Sequence, residues 1–393
     1  MMLKFENQFK TSTWALRFNG AHPFLQRDKK WIAKFILLVI FTTVFFVFLV
    51  NSIVFHDIRD GKYTEAIKNG SLVTVYLTLY FKNYVLLRFA NSMRKYIQII
   101  NEDYAAVEHY TQDEKKIIQL YSKKGTNVCL YWFVAAYTTG AMFPLKALFF
   151  MICSFFRGEF KLVPIFDMTY PALIETRKEI IYVYLILFLY CLIFDMYATS
   201  VYVGFDPLAS IFLLHVCGQI EIMSLRMKNV MTDVTDHNEI CRKLRDINKR
   251  LQAIYIFHNS VQSKFLELFE FNMKTTTFLL PFSAFQIVQS LKNLELNIEF
   301  ACFFGSYIIH FLIPCYYSNL LMDKSYELRE AIYSCGWENQ PNIQIRKTVL
   351  FMLSRCGIPL SMRTIFHPVN LATFAEVCRQ AYTIFNIMNA AWS

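Results

Sequence analysis

Residues 35–55 read FILLVIFTTVFFVFLVNSIVF and contain no Asp, Glu, Lys or Arg. An apolar helix of about 20 residues is long enough to cross the hydrocarbon core of a bilayer. Residues 300–322 are a second stretch without these four residue types. Both stretches predict membrane-spanning helices, and they decide the class of the protein.

The rest of the chain extends this pattern. Hydrophobic residues make up 55% of the 393 residues and charged residues only 18%, below the usual quarter for soluble proteins. A soluble core cannot bury that much apolar surface. We therefore predict an all-α membrane protein with seven transmembrane helices, at residues 34–56, 69–92, 127–152, 179–203, 267–290, 299–322 and 370–391.

Basic residues fix the predicted orientation. Lys and Arg number 25 in four alternate segments (1–33, 93–126, 204–262 and 323–369) and 8 in the remaining connections. The positive-inside rule places the richer set in the cytoplasm. The N-terminus is then cytoplasmic and the C-terminus extracellular. The net charge of +10 comes from this loop bias, so no nucleic-acid partner is expected.

Four regions follow from the predicted spans. Residues 1–33 form a cytoplasmic segment that is expected to lie on the inner leaflet, and residues 34–322 form a six-span bundle with a cytoplasmic loop at 204–262. Residues 323–369 form a cytoplasmic anchor region, and residues 370–393 form the last span. An apolar stripe predicts a helix inside the loop: Ile240, Leu244, Ile247, Leu251 and Ile254.

The seventh element is predicted to be split. Residues 343–355 read as an amphipathic helix, and Pro359 and Pro368 interrupt the chain after it. Asn370 is a suitable N-cap for the last span. A cytoplasmic anchor helix, a short connector and a membrane helix should therefore follow one another.

The C-terminal motifs have a specific order. Leu328-Arg-Glu-Ala-Ile-Tyr333-Ser-Cys-Gly-Trp337 is followed by Gly357-Ile-Pro359, then His367-Pro-Val-Asn370, then Tyr382-Thr-Ile-Phe385. This order resembles the C-terminal signature of insect odorant receptors. A second patch, from His215 to Glu221, resembles the signature of that family after its fourth span.

The resemblance implies a function in olfaction. It implies a ligand-gated, non-selective cation channel of four subunits in the cell membrane of sensory neurons, opened by small volatile odorants. In that family, odorant-specific subunits assemble with a shared co-receptor subunit into a heterotetramer. The co-receptor has a much longer loop after its fourth span. Residues 204–262 lack that insertion, so the chain resembles a ligand-tuning subunit.

The resemblance also implies a pore formed by the last span. Alignment to the family places Ile387 at the constriction, where a ring of apolar side chains can close a pore by dewetting. An ordinary packed helix stays an open alternative. The expected pore and gate residues are Ile384, Ile387, Met388, Thr383, Asn386, Ala390 and Ala391.

The ligand pocket is expected in the outer halves of the second, third, fourth and sixth spans, where the family has it. Small apolar odorants favour an aromatic lining with few polar anchors. For any single residue, packing in the core or against lipid is the open alternative. The candidates are Val73, Tyr76, Tyr80, Met142, Phe143, Leu148, Tyr182, Ile186, Tyr190, Phe303, Phe304 and Tyr307.

Ionisable residues inside spans are costly and need partners. Asp195 in the fourth span is expected to pair with Lys82 or Arg88 in the second span. The alternative is that both basic side chains extend to the membrane interface instead.

Three other classes of protein fit the sequence less well. A G-protein-coupled receptor shares seven spans, but its N-terminus lies outside, and this sequence lacks its Asp-Arg-Tyr and Asn-Pro-x-x-Tyr motifs. A gustatory-type channel of the same superfamily carries Gln-Phe where Met388-Asn389 stand here. An enzyme is not expected, because the eight histidines are scattered and no catalytic or metal-ligand spacing appears. No cofactor or metal is expected either.

Overall fold

Helices form 83% of the structure, which confirms the predicted all-α class. The computed structural model describes residues 3–231, 236–292 and 298–392. Its long helices each overlap one predicted span: α3 (Lys29–Ser52), α4 (Tyr63–Arg88), α6 (Gln112–Phe156), α8 (Ile181–Asn229), α9 (His237–Lys292), α10 (Ile298–Tyr333) and α12 (Leu371–Trp392). The shorter helices are α1 (Phe5–Gln8), α2 (Lys10–Phe18), α5 (Ala90–Ala106), α7 (Ala172–Glu175) and α11 (Ile343–Arg355).

Four helical stretches in the described ranges are long and apolar enough to cross a membrane: Lys29–Asp57, Gln112–Phe156, Ile181–Asn229 and Ile298–Asn339. Their hydropathy identifies a multi-pass membrane protein. The helices α4, α9 and α12 do not reach the same apolarity over the same length.

The segment 204–262, predicted as a cytoplasmic loop, is mostly helical in the structure. The helix α8 continues to Asn229 and α9 begins at His237, so most of this region extends two long helices. The physical reason is burial, because nearly every residue of α8 from Val203 to Ser224 is buried. The predicted apolar stripe on α9 is confirmed: Ile240, Leu244, Ile247, Leu251 and Ile254 are all buried.

Two hydrophobic cores divide the molecule. The larger core joins α5, the second halves of α8 and α10, the first half of α9, and α11. The smaller core is rich in aromatic side chains and joins α3, α4, α6, the first half of α8 and the start of α10. Phe45 and Phe194 stack in it with ring centroids 3.7 Å apart.

The N-terminal helices pack into the larger core rather than standing apart from it. Phe5 and Phe9 are buried, and the Ser12 hydroxyl donates a hydrogen bond of 2.7 Å to the Gly204 carbonyl. A Cβ at Gly204 would lie 3.1 Å from the backbone nitrogen of Leu16, so glycine permits this close approach. Only one face of α2, with Trp14 and Phe18, is left exposed.

Between α10 and α12 the chain folds as a compact connector. The helix α11 is followed by a two-stranded antiparallel sheet, β1 (Met362–Arg363) and β2 (Pro368–Val369). The Met362 amide donates to the Ser318 hydroxyl of α10 at 2.8 Å. The predicted N-cap of α12 is confirmed, because the Asn370 side-chain oxygen accepts a hydrogen bond of 2.8 Å from the Thr373 amide.

Candidate functional site

A cavity of about 100 Å³ lies between α4, α6, α8, α9 and α10, at the border of the two cores. One water needs roughly 10–15 Å³ on the same measure, so the cavity has room for a small organic molecule. Seven aromatic side chains line it, together with small aliphatic ones: Trp132, Phe143, Phe166, Phe194, Tyr202, Phe303 and Tyr307. Hydroxyl groups, one carboxylate and one imidazole interrupt the apolar lining: Thr78, Thr139, Thr199, Ser306, Asp195 and His310.

Helical periodicity builds this lining. Phe303, Ser306, Tyr307 and His310 follow one face of α10 at i, i+3, i+4 and i+7. Asp195, Thr199 and Tyr202 do the same on α8. The helix α6 comes close to α8 at Gly140, where an added Cβ would lie 2.5 Å from the Thr199 hydroxyl oxygen.

Three of the twelve predicted pocket residues line the cavity, namely Phe143, Phe303 and Tyr307. Four others are exposed and do not line this cavity: Tyr80, Leu148, Tyr182 and Ile186. These residues were misplaced because the rotation of a helix about its axis is not predictable when every face of the helix is apolar. The sequence then does not indicate which face packs against the other helices.

The remaining predicted pocket residues also lie outside the lining. Tyr76 is buried and stacks on Phe46, with ring centroids 4.6 Å apart. The Tyr190 hydroxyl donates to the Phe41 carbonyl at 2.7 Å. Val73, Met142 and Phe304 are half-buried and do not line the cavity.

Sequence reasoning missed the polar part of the lining. Asp195 is predicted from sequence only as an ion-pair partner, and Thr199, Tyr202 and His310 are not among the predicted pocket residues, although all four line the cavity. Their spacing could have identified them. Thr199 and Tyr202 follow Asp195 on one face of α8, and His310 follows Phe303 on one face of α10. From α9, Thr275, Thr276 and Leu279 also line the cavity. No sequence pattern indicated that these three residues face it.

A buried ion pair lies just beyond the cavity. The Lys82 ammonium of α4 is 2.7 Å from Asp206 Oδ1 of α8 and 3.3 Å from His310 Nε2. It also lies 3.5 Å from the ring centroid of Tyr202. The predicted pairing of Lys82 with Asp195 is therefore wrong.

The error has a geometric cause. Asp195 and Asp206 are three helical turns apart, so they share a face of α8 but differ by about 16 Å in height. Sequence alone does not fix the height at which α4 and α8 meet. Arg88, the other predicted partner, has its guanidinium near the Phe89 ring, at 5.7 Å from the centroid.

The last helix, α12, packs on α9 and α10 along one face. Met388 is only 6% exposed and lies on that packed face, whereas Ile387 is 64% exposed. The exposed face also carries Thr383, Asn386, Ala390 and Ala391, and Ile384 lies at its border. Met388 therefore does not belong to the same face as Ile387, which corrects its place among the expected pore residues.

Charged groups link the helices of the larger core. His215 Nε2 lies 2.9 Å from an Asp103 oxygen, and Arg250 contacts the other oxygen at 2.5 Å. Burial opposes ionisation of Asp103, but the bond from His215 and the charge of Arg250 outweigh it and hold the pKa of this carboxyl below its usual value.

A second group lies nearly two turns further along α8. Glu221 accepts a hydrogen bond of 2.7 Å from the Tyr121 hydroxyl and pairs with the Lys324 ammonium at 2.9 Å. The patch from His215 to Glu221 thus joins α5, α6, α9 and α10 to α8.

Comparison with known proteins gives one consistent family. Residues 62–382 match the family described as 7tm odorant receptor. The chain is 33% identical over 79 residues to odorant receptor 19a of Drosophila melanogaster, which covers 20% of each protein. It is 20% identical over 195 residues to odorant receptor 10a of the same organism, which covers 48% of each. The matched stretches thus span one fifth to about half the length of these relatives.

A solved structure has the same fold. The insect olfactory receptor OR5 from Machilis hrabei, solved in complex with eugenol, superposes with a TM-score of 0.80 at 14% identity over 98% of both chains. A second structure of the same receptor gives the same TM-score and identity. At this identity the likeness concerns the fold.

Proposed function

This chain belongs to the 7tm odorant receptor family, and from that premise we propose that it is a subunit of an odorant-gated, non-selective cation channel. The observation that carries the proposal is the cavity between α4, α6, α8, α9 and α10, which aromatic side chains line together with a few polar groups. A mostly apolar cavity with a few polar groups suits a small volatile molecule. OR5, which shares the fold, has been solved with eugenol.

The proposed arrangement has seven membrane spans, one for each of the long helices, with a cytoplasmic N-terminus and an extracellular C-terminus. The bias of 25 basic residues against 8 supports this orientation. The proposed regions are the N-terminal segment 1–33, the six-span bundle 34–322, the anchor region 323–369 and the last span 370–393. The helix α11 and the β1–β2 connector would then lie in the cytoplasm and make the seventh element a split one.

The proposed pore lies on the axis of four subunits, lined by the exposed face of α12. Ile387 is the proposed gate, with Ile384 one turn inward and Thr383 and Asn386 beside them. Exposed apolar side chains at this position in a single chain are consistent with a ring that forms only in the assembly. Ala390 and Ala391 leave space at the outer end of the same face.

The helix α9 offers a physical connection between ligand and gate. Its residues Thr275, Thr276 and Leu279 line the cavity, and it packs along α12. A ligand that fits one position of α9 better than another shifts the population towards that position. The channel opens in our proposal when this shift moves Ile387 off the axis.

The chain is proposed to act as a ligand-tuning subunit that assembles with a co-receptor in the cell membrane. Only seven residues separate the end of α8 at Asn229 from the start of α9 at His237. This short connection supports a tuning subunit, since the co-receptor of the family has a long insertion there. The buried charge network of the larger core would hold the subunit rigid below the membrane.

The test is whole-cell recording from cells that express this chain alone, the co-receptor alone or both, during exposure to an odorant panel. The proposal predicts odorant-evoked cation currents in cells that express this chain. Cells that express the co-receptor alone should not show the same responses to the odorant panel. Surface labelling of an epitope tag controls for expression. Absence of any evoked current with both subunits at the surface would contradict the proposal.

A further inference from the structure

The cavity contains a carboxylate that has no partner in the described part of the chain. Asp195 lines the wall formed by α8, and none of the ion pairs or side-chain hydrogen bonds among the described residues includes it. A charge removed from water is costly unless it is paired. An unpaired carboxylate facing a cavity is therefore a site for a cationic or hydrogen-bonding ligand.

The nearby basic groups are already neutralised. Lys82 is held by Asp206 at 2.7 Å and is fully buried. At the outer end of the cavity region, the Lys146 ammonium pairs with Glu299 and lies 3.7 Å from Asp167. His310 contacts the Lys82–Asp206 pair. Asp195 is thus the uncompensated charged group of the described lining.

Oxygen atoms of two side chains converge on the same side of α6. From the position that a Cβ would take at Gly140, the Thr199 hydroxyl oxygen lies 2.5 Å away and the two Asp195 oxygens lie 3.2 Å and 3.3 Å away. These distances leave no room for a Cβ, so glycine is required for this close approach, and Gly140, Asp195 and Thr199 all line the cavity. An ammonium group has three hydrogen-bond donors, and this arrangement offers it three acceptor oxygens.

The rest of the cavity suits the body of such a ligand. Phe143 and Phe303 pack edge to face with centroids 5.3 Å apart, and aromatic faces attract cations as well as apolar groups. The Tyr307 hydroxyl is buried and has no hydrogen-bond partner. It lines the same cavity and provides a further acceptor. The volume of about 100 Å³ limits the ligand to a small skeleton.

We propose that this cavity selects small protonated primary amines, whose ammonium group binds the Asp195 carboxylate and the Thr199 hydroxyl beside Gly140. This inference rests on the proposed function and names the ligand class of the same site. A charge-assisted hydrogen bond is about twice as strong as a neutral one. We therefore expect amines to be preferred over alcohols of the same carbon skeleton.

The experiment records whole-cell currents with the co-receptor for matched pairs, such as benzylamine with benzyl alcohol and isoamylamine with isoamyl alcohol. The wild-type chain should respond to each amine at a concentration roughly tenfold or more below that of the matched alcohol. Asp195→Asn, which keeps the shape and removes the charge, should abolish this preference and leave the alcohol responses in place. Asp60→Asn, at an exposed loop carboxylate that pairs with Lys62, is the matched control and should keep the preference.

The alternatives give different results. Equal loss of amine and alcohol responses in a surface-expressed Asp195→Asn variant would overturn the inference and assign Asp195 a neutral hydrogen-bonding role. Unchanged amine responses would also overturn it. In both cases the wild-type alcohol responses would leave the proposed function standing. If surface-expressed wild-type chain gave no current with any compound, the proposed function itself would fail. Where Asp195→Asn does not reach the surface, Thr199→Val provides the second test, with a smaller loss for amines expected.

Discussion

Lys82 and Asp206 form a buried ion pair that joins α4 to α8, with Lys82 Nζ 2.7 Å from Asp206 Oδ1 and the lysine fully inaccessible to solvent. Removing one partner of a buried pair leaves an uncompensated charge, whereas replacing both with apolar groups can be neutral. This pair lies beside the cavity, where Lys82 also contacts the lining residues Tyr202 and His310, so it fixes the relative height of two helices that line it.

Lys82→Met should destabilise the protein by about 3–5 kcal/mol because Asp206 then remains buried and unpaired. The double variant Lys82→Met with Asp206→Leu should recover much of that loss. Thermal unfolding of detergent-solubilised protein, followed by size-exclusion chromatography, measures both. A double variant as unstable as the single one would contradict a stabilising role for the pairing itself.

Asp103 should make stability depend on pH in the acidic range. Its pKa in the folded protein lies below its usual value of 3.8, because His215 and Arg250 outweigh the effect of burial. Its contribution is therefore fully present above the unfolded pKa and is lost as pH falls through the lower folded pKa. Asp103→Asn should lower stability at pH 7 by about 3 kcal/mol and flatten the decline of stability below pH of about 4.

The control for this prediction is Asp113→Asn, since that carboxylate is exposed and pairs only with Lys116 in the described structure. It should change stability by no more than about 0.5 kcal/mol. Equal effects of the two substitutions on unfolding would mean that the buried network does not hold α5 to α8 and α9.

Ile387 and Met388 are neighbours in sequence and should respond in opposite ways to truncation. Ile387→Ala removes an exposed side chain, so surface expression should be kept while unliganded current rises. Met388→Ala leaves a space in the packed face of α12 and should cost about 2–5 kcal/mol of stability. Whole-cell recording and surface labelling separate the two effects. Basal and evoked currents that stay unchanged in Ile387→Ala would exclude this residue as the gate.

The features that the sequence predicted well are local ones. The stripe from Ile240 to Ile254 is buried and Asn370 caps α12, because spacing and capping depend only on neighbouring residues. The positions of the long helices were predictable for the same reason, since hydropathy is a local property.

The features that the sequence did not predict depend on how helices meet. Tyr182 and Ile186 were expected in the pocket but face outward, because apolar helices in a bilayer are apolar on every face. The partner of Lys82 was misassigned because the relative height of α4 and α8 is a tertiary property. Residues 205–227 were predicted to be a loop but are helical and mostly buried in α8. The side chains that bury them come from segments distant in sequence, so the burial was not predictable locally.

The most direct test of the account is the odorant-evoked current of Gly140→Val beside wild type, each expressed with the co-receptor. A Cβ at Gly140 would lie 2.5 Å from the Thr199 hydroxyl oxygen, so a valine should fill the cavity and displace its polar groups. Gly305→Ala on α10, where an added Cβ meets nothing within 4 Å, is the control. Wild type and Gly305→Ala should give odorant-evoked currents, and equally expressed Gly140→Val should be less sensitive by roughly tenfold or more. Equal dose–response curves for all three would contradict it.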